Sequence, residues 1–160
     1  MRRLLVGAAL LALLAACGGS SGLSKADYVK QADAVCRDGA KQIAALEVPS
    51  DVTGLPAAAA RVVAVQRATL DRLRAIHPPK ADKAQIAKWI ALVDQTLDQA
   101  EMSASSQRRG DLQRAVTANA NGAALDGRAD EIARGYGLRT CVQAATAPTT
   151  TTTSTTKPRA

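Results

Sequence analysis

The chain has 160 residues, 47% of them hydrophobic, with 21 Lys and Arg against 14 Asp and Glu and only three aromatic residues, Tyr28, Trp89 and Tyr136. The formal charge of +7 falls to +3 when Arg2 and Arg3 in the leader and Lys157 and Arg159 in the tail are set aside, since 17 cations then face 14 anions. Scattered charge of that size, with no aromatics interleaved for base stacking, argues against nucleic acid as a partner and suits contact with anionic lipid headgroups.

Met1-Arg2-Arg3 followed by an apolar run from Leu4 to Ala16 has the form of a secretory signal. Its 13 apolar residues fall short of the roughly 20 that span a bilayer. The stretch Leu14-Ala15-Ala16-Cys17 resembles the bacterial lipobox, in which the thiol takes a diacylglyceryl thioether and the peptidase cuts just before the cysteine. The resemblance implies a signal peptide at 1–16, lipid attachment at Cys17, and export to the outer face of the cell membrane. Gly18 to Leu23, at the end of segment 17–23, read as a flexible tether that lifts the domain from the lipid.

The helical domain is expected over 24–143. Ser24 is a candidate N-cap, and Tyr28, Ala32, Val35, Gly39, Ile43 and Leu46 recur at steps of three and four to mark one helix face, with Cys36 beside it. Pro49 stops this helix. A second helix is predicted from Leu55, with Pro56 in the first turn, to about Ile76, where Pro78-Pro79 ends it. A third, Lys80 to Ser103, carries the strongest pattern in Ile86, Trp89, Ile90, Val93, Leu97 and Ala100, with Trp89 as the expected packing centre. Polar residues from Ser103 to Gly110 read as a turn.

Asp111 is a candidate cap for a fourth helix over 111–136. It shows two displaced stripes, Leu112, Val116 and Ala123 against Leu125, Ala129, Ile132 and Tyr136, which a bend near Gly122 to Gly127 would reconcile. Gly135 and Gly137 offer a C-cap, after which the chain must fold back along the first helix for Cys141 to reach Cys36.

With Cys17 lipidated, Cys36 and Cys141 remain as an even pair in an oxidising compartment, which favours a structural disulfide over free thiols. No Cys-x-x-Cys or Cys/His cluster supports redox or metal chemistry, and the sole histidine, His77, sits in a His-Pro-Pro break. The fold class that follows is all-α: a four-helix up-down-up-down bundle with one disulfide. The Thr/Pro-rich segment 144–160 has the composition of a disordered C-terminal tail, or of a glycosylated stalk.

Chemistry is sparse. Asp94 and Asp98 share a side of the third helix, but di-metal bundles also use Glu-x-x-His pairs, which this chain lacks, so a solvated polar face accounts for them. No triad or phosphate loop is present, and no cofactor, metal or catalytic residue is assigned. Asp27-Tyr28-Val29 with Cys36, Leu70-Asp71-Arg72-Leu73 before the Pro-Pro break, and Gly135-Tyr136-Gly137-Leu138 before Cys141 together resemble small secreted or lipid-anchored helical proteins of high-GC Gram-positive bacteria. That resemblance implies localisation and the disulfide, and it carries no activity.

Two readings of function stand. The first is a non-catalytic envelope module that binds an envelope protein, wall polymer or lipid through a helical face, held at the membrane by its N-terminal lipid. The second is a carrier or sensor that binds a small apolar ligand between helices. Small alanines at the helix contacts favour the first, because close-packed helices leave little room for a cavity.

Overall fold

A computed structural model describes residues 23–145. The expected signal peptide, Cys17, the expected tether up to residue 22 and the expected tail from residue 146 lie outside the described residues. The described chain forms four long helices, α1 (Lys25–Ala44), α2 (Leu55–Arg74), α3 (Lys83–Arg108) and α4 (Leu112–Tyr136), and a short α5 (Arg139–Ala145). Single 3-10 turns at Val52–Gly54 and Lys80–Asp82 lead into α2 and α3, and the described residues contain no strand.

The helix ends follow local chemistry. The Ser24 hydroxyl accepts from the Asp27 amide at 3.1 Å and donates to the Asp27 carboxylate at 2.6 Å, closing a reciprocal cap at the start of α1. Asp51 accepts from the amides of Thr53 and Gly54, and Pro56 occupies the first turn of α2, where its missing N–H costs nothing. Asp111 accepts from the Arg114 amide to start α4. At the other end of α4, Gly137 adopts φ +104° while its amide and that of Leu138 both donate to the Ala133 carbonyl. That left-handed cap turns the chain back on itself and carries Leu138 into full burial.

The helices run up, down, up and down. α2 packs on α1 and α3, α3 packs on α4, and α5 lies along α1 while also touching α4. The start of α1 therefore meets the end of α4: the rings of Tyr28 and Tyr136 pack edge to face at 5.8 Å, and the Lys25 ammonium sits 4.4 Å above the Tyr136 ring. The main core lies in this half of the bundle and joins Tyr28, Ala32, Leu73, Ile86, Trp89, Leu92, Ala133 and Leu138, with the disulfide at its edge. Leu23 packs against it, so the last residue of the expected tether belongs to the domain.

Three sequence expectations are corrected. Residues 103–108 continue α3 instead of forming a turn. Ser103 and Ser106 are buried there, Ser103 accepting from the Gln107 side chain, and the chain turns only at Gly110, with φ +75°. Tertiary packing against α2 and α4 thus outweighs the weak helix propensity of a polar run. The stripe Leu112, Val116 and Ala123 does not face the core: Leu112 and Val116 are exposed, and Ala115 and Ala118 are buried in their place. No bend is needed, because α4 is one continuous helix whose small residues let it lie close to α3, with Gly122 directly over Gln99. Finally, α5 extends helical structure to Ala145, past the expected domain end at 143.

Candidate functional site

Cys36 and Cys141 form the expected disulfide, with an S–S distance of 2.07 Å and Cα atoms 5.0 Å apart. Cys36 sits three turns into α1, so α5 must run back beside it. A second contact secures this path, as the Asp33 carboxylate accepts from the Thr140 amide at 3.0 Å near the start of α5. Lipid attachment at Cys17 falls outside the described residues.

Placing α5 against α1 has a consequence for the interior. α5 occupies the seam between α1 and α4, whose backbones do not approach each other anywhere among the described residues. A gap persists between them, lined from α1 by Gly39, Ala40 and Ile43 and from α4 by Asp126, Ala129, Asp130 and Ala133, mostly small residues that leave it open. The result is a cavity of about 110 Å³ at the centre of the bundle, lined by all five helices. Its walls are mainly apolar: Leu70, Leu73, Trp89, Val93 and Leu97 face the disulfide across it. The expectation that small alanines leave little room for a cavity fails between α1 and α4, whose backbones do not meet and both of which α5 touches.

The cavity is not closed off. Gln66, Thr96, Leu97 and Asp126 line it and also line an adjoining groove of about 250 Å³, which runs over Ala100, Ala118, Gly122 and Ala123. The two spaces form one trench between α2 and α4, floored by α3. Polar groups are few and meet where the spaces join. The Thr96 hydroxyl donates to the Leu92 carbonyl at 3.0 Å, leaving its oxygen free to accept. Asp130 pairs with Arg134 at 3.3 Å. Asp126 takes part in none of the ion pairs formed among the described residues. Its carboxyl is raised above the ordinary Asp value, first by burial and then by the neighbouring Asp130 charge, with Arg134 opposing.

The remaining sequence candidates lie elsewhere. His77 is exposed in the turn between α2 and α3. Asp94 and Asp98 do form part of a polar face, but it is a paired one: Arg67 of α2 reaches Asp94 and Asp98 at 2.5 Å each and Glu101 at 2.9 Å, and Arg74 reaches Asp94 at 2.7 Å. This cluster clamps α2 to α3 on the outside of the bundle. Its charges are largely solvated, so it fixes the pairing of the helices more than it stabilises them.

Sequence reasoning missed Asp126, which looks like any polar residue between two helix stripes. Its i, i+4 spacing to Asp130 was the available signal. None of the described helices is long and apolar enough to cross a membrane. No protein-family model, curated protein or solved structure matches this chain.

Proposed function

We propose that this chain is an exported lipoprotein, anchored through Cys17 at the outer face of the cell membrane, whose bundle is a non-catalytic binding module for a small, mainly apolar ligand. The observation that carries this reading is the cavity at the centre of the bundle, walled by Leu70, Leu73, Trp89 and Val93 and opening into a groove. An apolar cavity of this kind in a helical bundle is the usual place for a small-molecule site. Holding open such a space sacrifices packing contacts that a fully closed core would make, which fits a site kept for a ligand. A lipid anchor would keep the pocket within reach of molecules that leave or approach the bilayer.

Native mass spectrometry of the full chain purified from its own host tests the proposal. The expected result is a bound mass that disappears on denaturation and is absent from Ala40→Phe, a variant that places a large side chain on the cavity wall. A clean apo mass, together with no response of Trp89 fluorescence to small apolar probes, would sink it.

A second reading has its own observation. Val48, Val52, Leu55, Leu112 and Val116 are large, exposed apolar residues, and all lie at the end of the bundle remote from the start of α1. A chain tethered at its N-terminus presents that end away from the membrane, where an envelope protein or wall polymer would meet it. Crosslinking from position 112 in intact cells to one stoichiometric partner would favour this reading.

A further inference from the structure

Three polar groups at the junction of the cavity and its groove can each accept a hydrogen bond. Asp126 is a carboxylate without an ion pair among the described residues, the Thr96 hydroxyl has its proton engaged with Leu92, and the Gln66 side chain lies at the same junction with a carbonyl oxygen to offer. These are acceptors, set where an apolar cavity meets its groove. On the α1, α2 and α3 walls of the cavity there is no cationic side chain. Arg134, whose charge acts on Asp126, is engaged by Asp130. A half-buried carboxylate in this position lacks full hydration and has no cation in direct contact among the described residues, and a ligand that supplies one relieves both deficits.

We propose that the pocket takes a small organic cation, an ammonium group on an apolar alkyl or aryl body, with the body against Leu70 and Trp89 and the ammonium at Asp126. The proposal rests on the pocket reading above and names its ligand class. Three N–H donors of a primary ammonium match the acceptors of Asp126, Gln66 and Thr96. The Trp89 ring, 3% exposed and on the cavity wall, provides a face for the apolar body. Selectivity follows from the same geometry. An acid of equal chain length would bring its carboxylate against Asp126 and Asp130, and an alcohol would leave the Asp126 charge uncompensated.

Trp89 is the chain's one tryptophan, so its fluorescence reports on this site alone. The full chain is titrated with hexylammonium, hexanol and hexanoate, three probes that share one body and differ in the head. Hexylammonium is expected to bind at least tenfold more tightly than hexanol, with hexanoate weakest. Asp126→Asn should bring hexylammonium to the level of hexanol and leave hexanol unchanged, while Asp98→Asn, on the outer face, should preserve the preference. Equal binding of the three probes, or a preference that survives in Asp126→Asn, overturns the ammonium assignment and leaves the apolar pocket standing. If none of the probes changes Trp89 fluorescence, the pocket reading itself fails.

Discussion

Gly39 of α1 lies so close to Thr69 of α2 that a Cβ added to the glycine would collide with the threonine hydroxyl and come within 3.0 Å of its methyl group. This is the contact that sets the distance between α1 and α2 beside the cavity. Gly127 and Gly135 on α4 have no atom within 4 Å of an added Cβ. Gly→Ala in a helix stabilises by about 1 kcal/mol where space permits, so Gly127→Ala and Gly135→Ala should each raise stability by about 0.5–1 kcal/mol. Gly39→Ala should lower it by about 1 kcal/mol, because overpacking outweighs the propensity gain. In a Thr69→Ala background most of that loss should vanish, and urea denaturation of the four-member cycle measures the coupling.

The disulfide joins residues 105 positions apart. In the loop-entropy account a closure of that length stabilises the fold by about 4–5 kcal/mol. Cys36→Ser, Cys141→Ser or reduction of the wild type should therefore lower Tm by roughly 10 °C or more. Because α5 is held to α1 mainly by this bond and the Asp33 contact, amide exchange should rise first in residues 139–142. Equal melting of oxidised and reduced protein would contradict the assignment.

Two buried tyrosines should respond oppositely to loss of the hydroxyl. The Tyr136 hydroxyl donates to the Asp82 carboxylate at 2.7 Å, whereas the Tyr28 hydroxyl is buried with no partner among the described residues. Burial pushes the Tyr28 phenol up to about 12, and burial together with the Asp82 charge raises that of Tyr136 further. Tyr136→Phe should cost about 1–2 kcal/mol, as expected for a hydrogen bond to a charged group. Tyr28→Phe should be neutral or stabilising by up to about 1 kcal/mol, since it removes an unsatisfied polar atom. Thermal denaturation of both variants decides it.

Asp126 should couple stability to pH. Its folded-state pKa is raised, so the native state binds the proton more tightly than the unfolded chain does. The charged form therefore destabilises the fold at all pH values above the raised pKa. That penalty fades as pH falls through the raised value and is gone below the ordinary Asp value. Asp126→Asn should accordingly be more stable than wild type at pH 7.5, and the difference should shrink as pH falls through the raised value and vanish only below the ordinary Asp value. A gap that stays constant, or a less stable variant at pH 7.5, would run against the unpaired state of this carboxylate.

Much of the fold was legible before any coordinates. Pro78-Pro79 and Gly137 stand just past real helix ends, Ser24 and Asp111 are real caps, and the Ile86, Trp89, Leu97 stripe is the buried face of α3, whereas α1 ends at Ala44, short of Leu46 and Pro49. These are local signals, in which one residue's chemistry determines the conformation around it. The errors fell where packing decides between near-equal local options. The polar run 103–108 became helix because its serines are buried against neighbouring helices, and α4 buried alanines in preference to Leu112 and Val116 because only small residues allow it to lie on α3. Half of the site was readable, since the cysteine pair implied a staple and a returning terminal segment.

By itself, then, the sequence determined the helical class, the order of the four long helices and the cysteine pairing, because periodicity, caps, breakers and cysteine count are all read from the chain without distances between helices. Only the tertiary structure decided that α5 would wedge between α1 and α4, that a gap would stay open beside it, and that Asp126 would stand at its junction without an ion pair among the described residues. Those features depend on distances between helices far apart in the chain, which no periodicity within a single helix encodes.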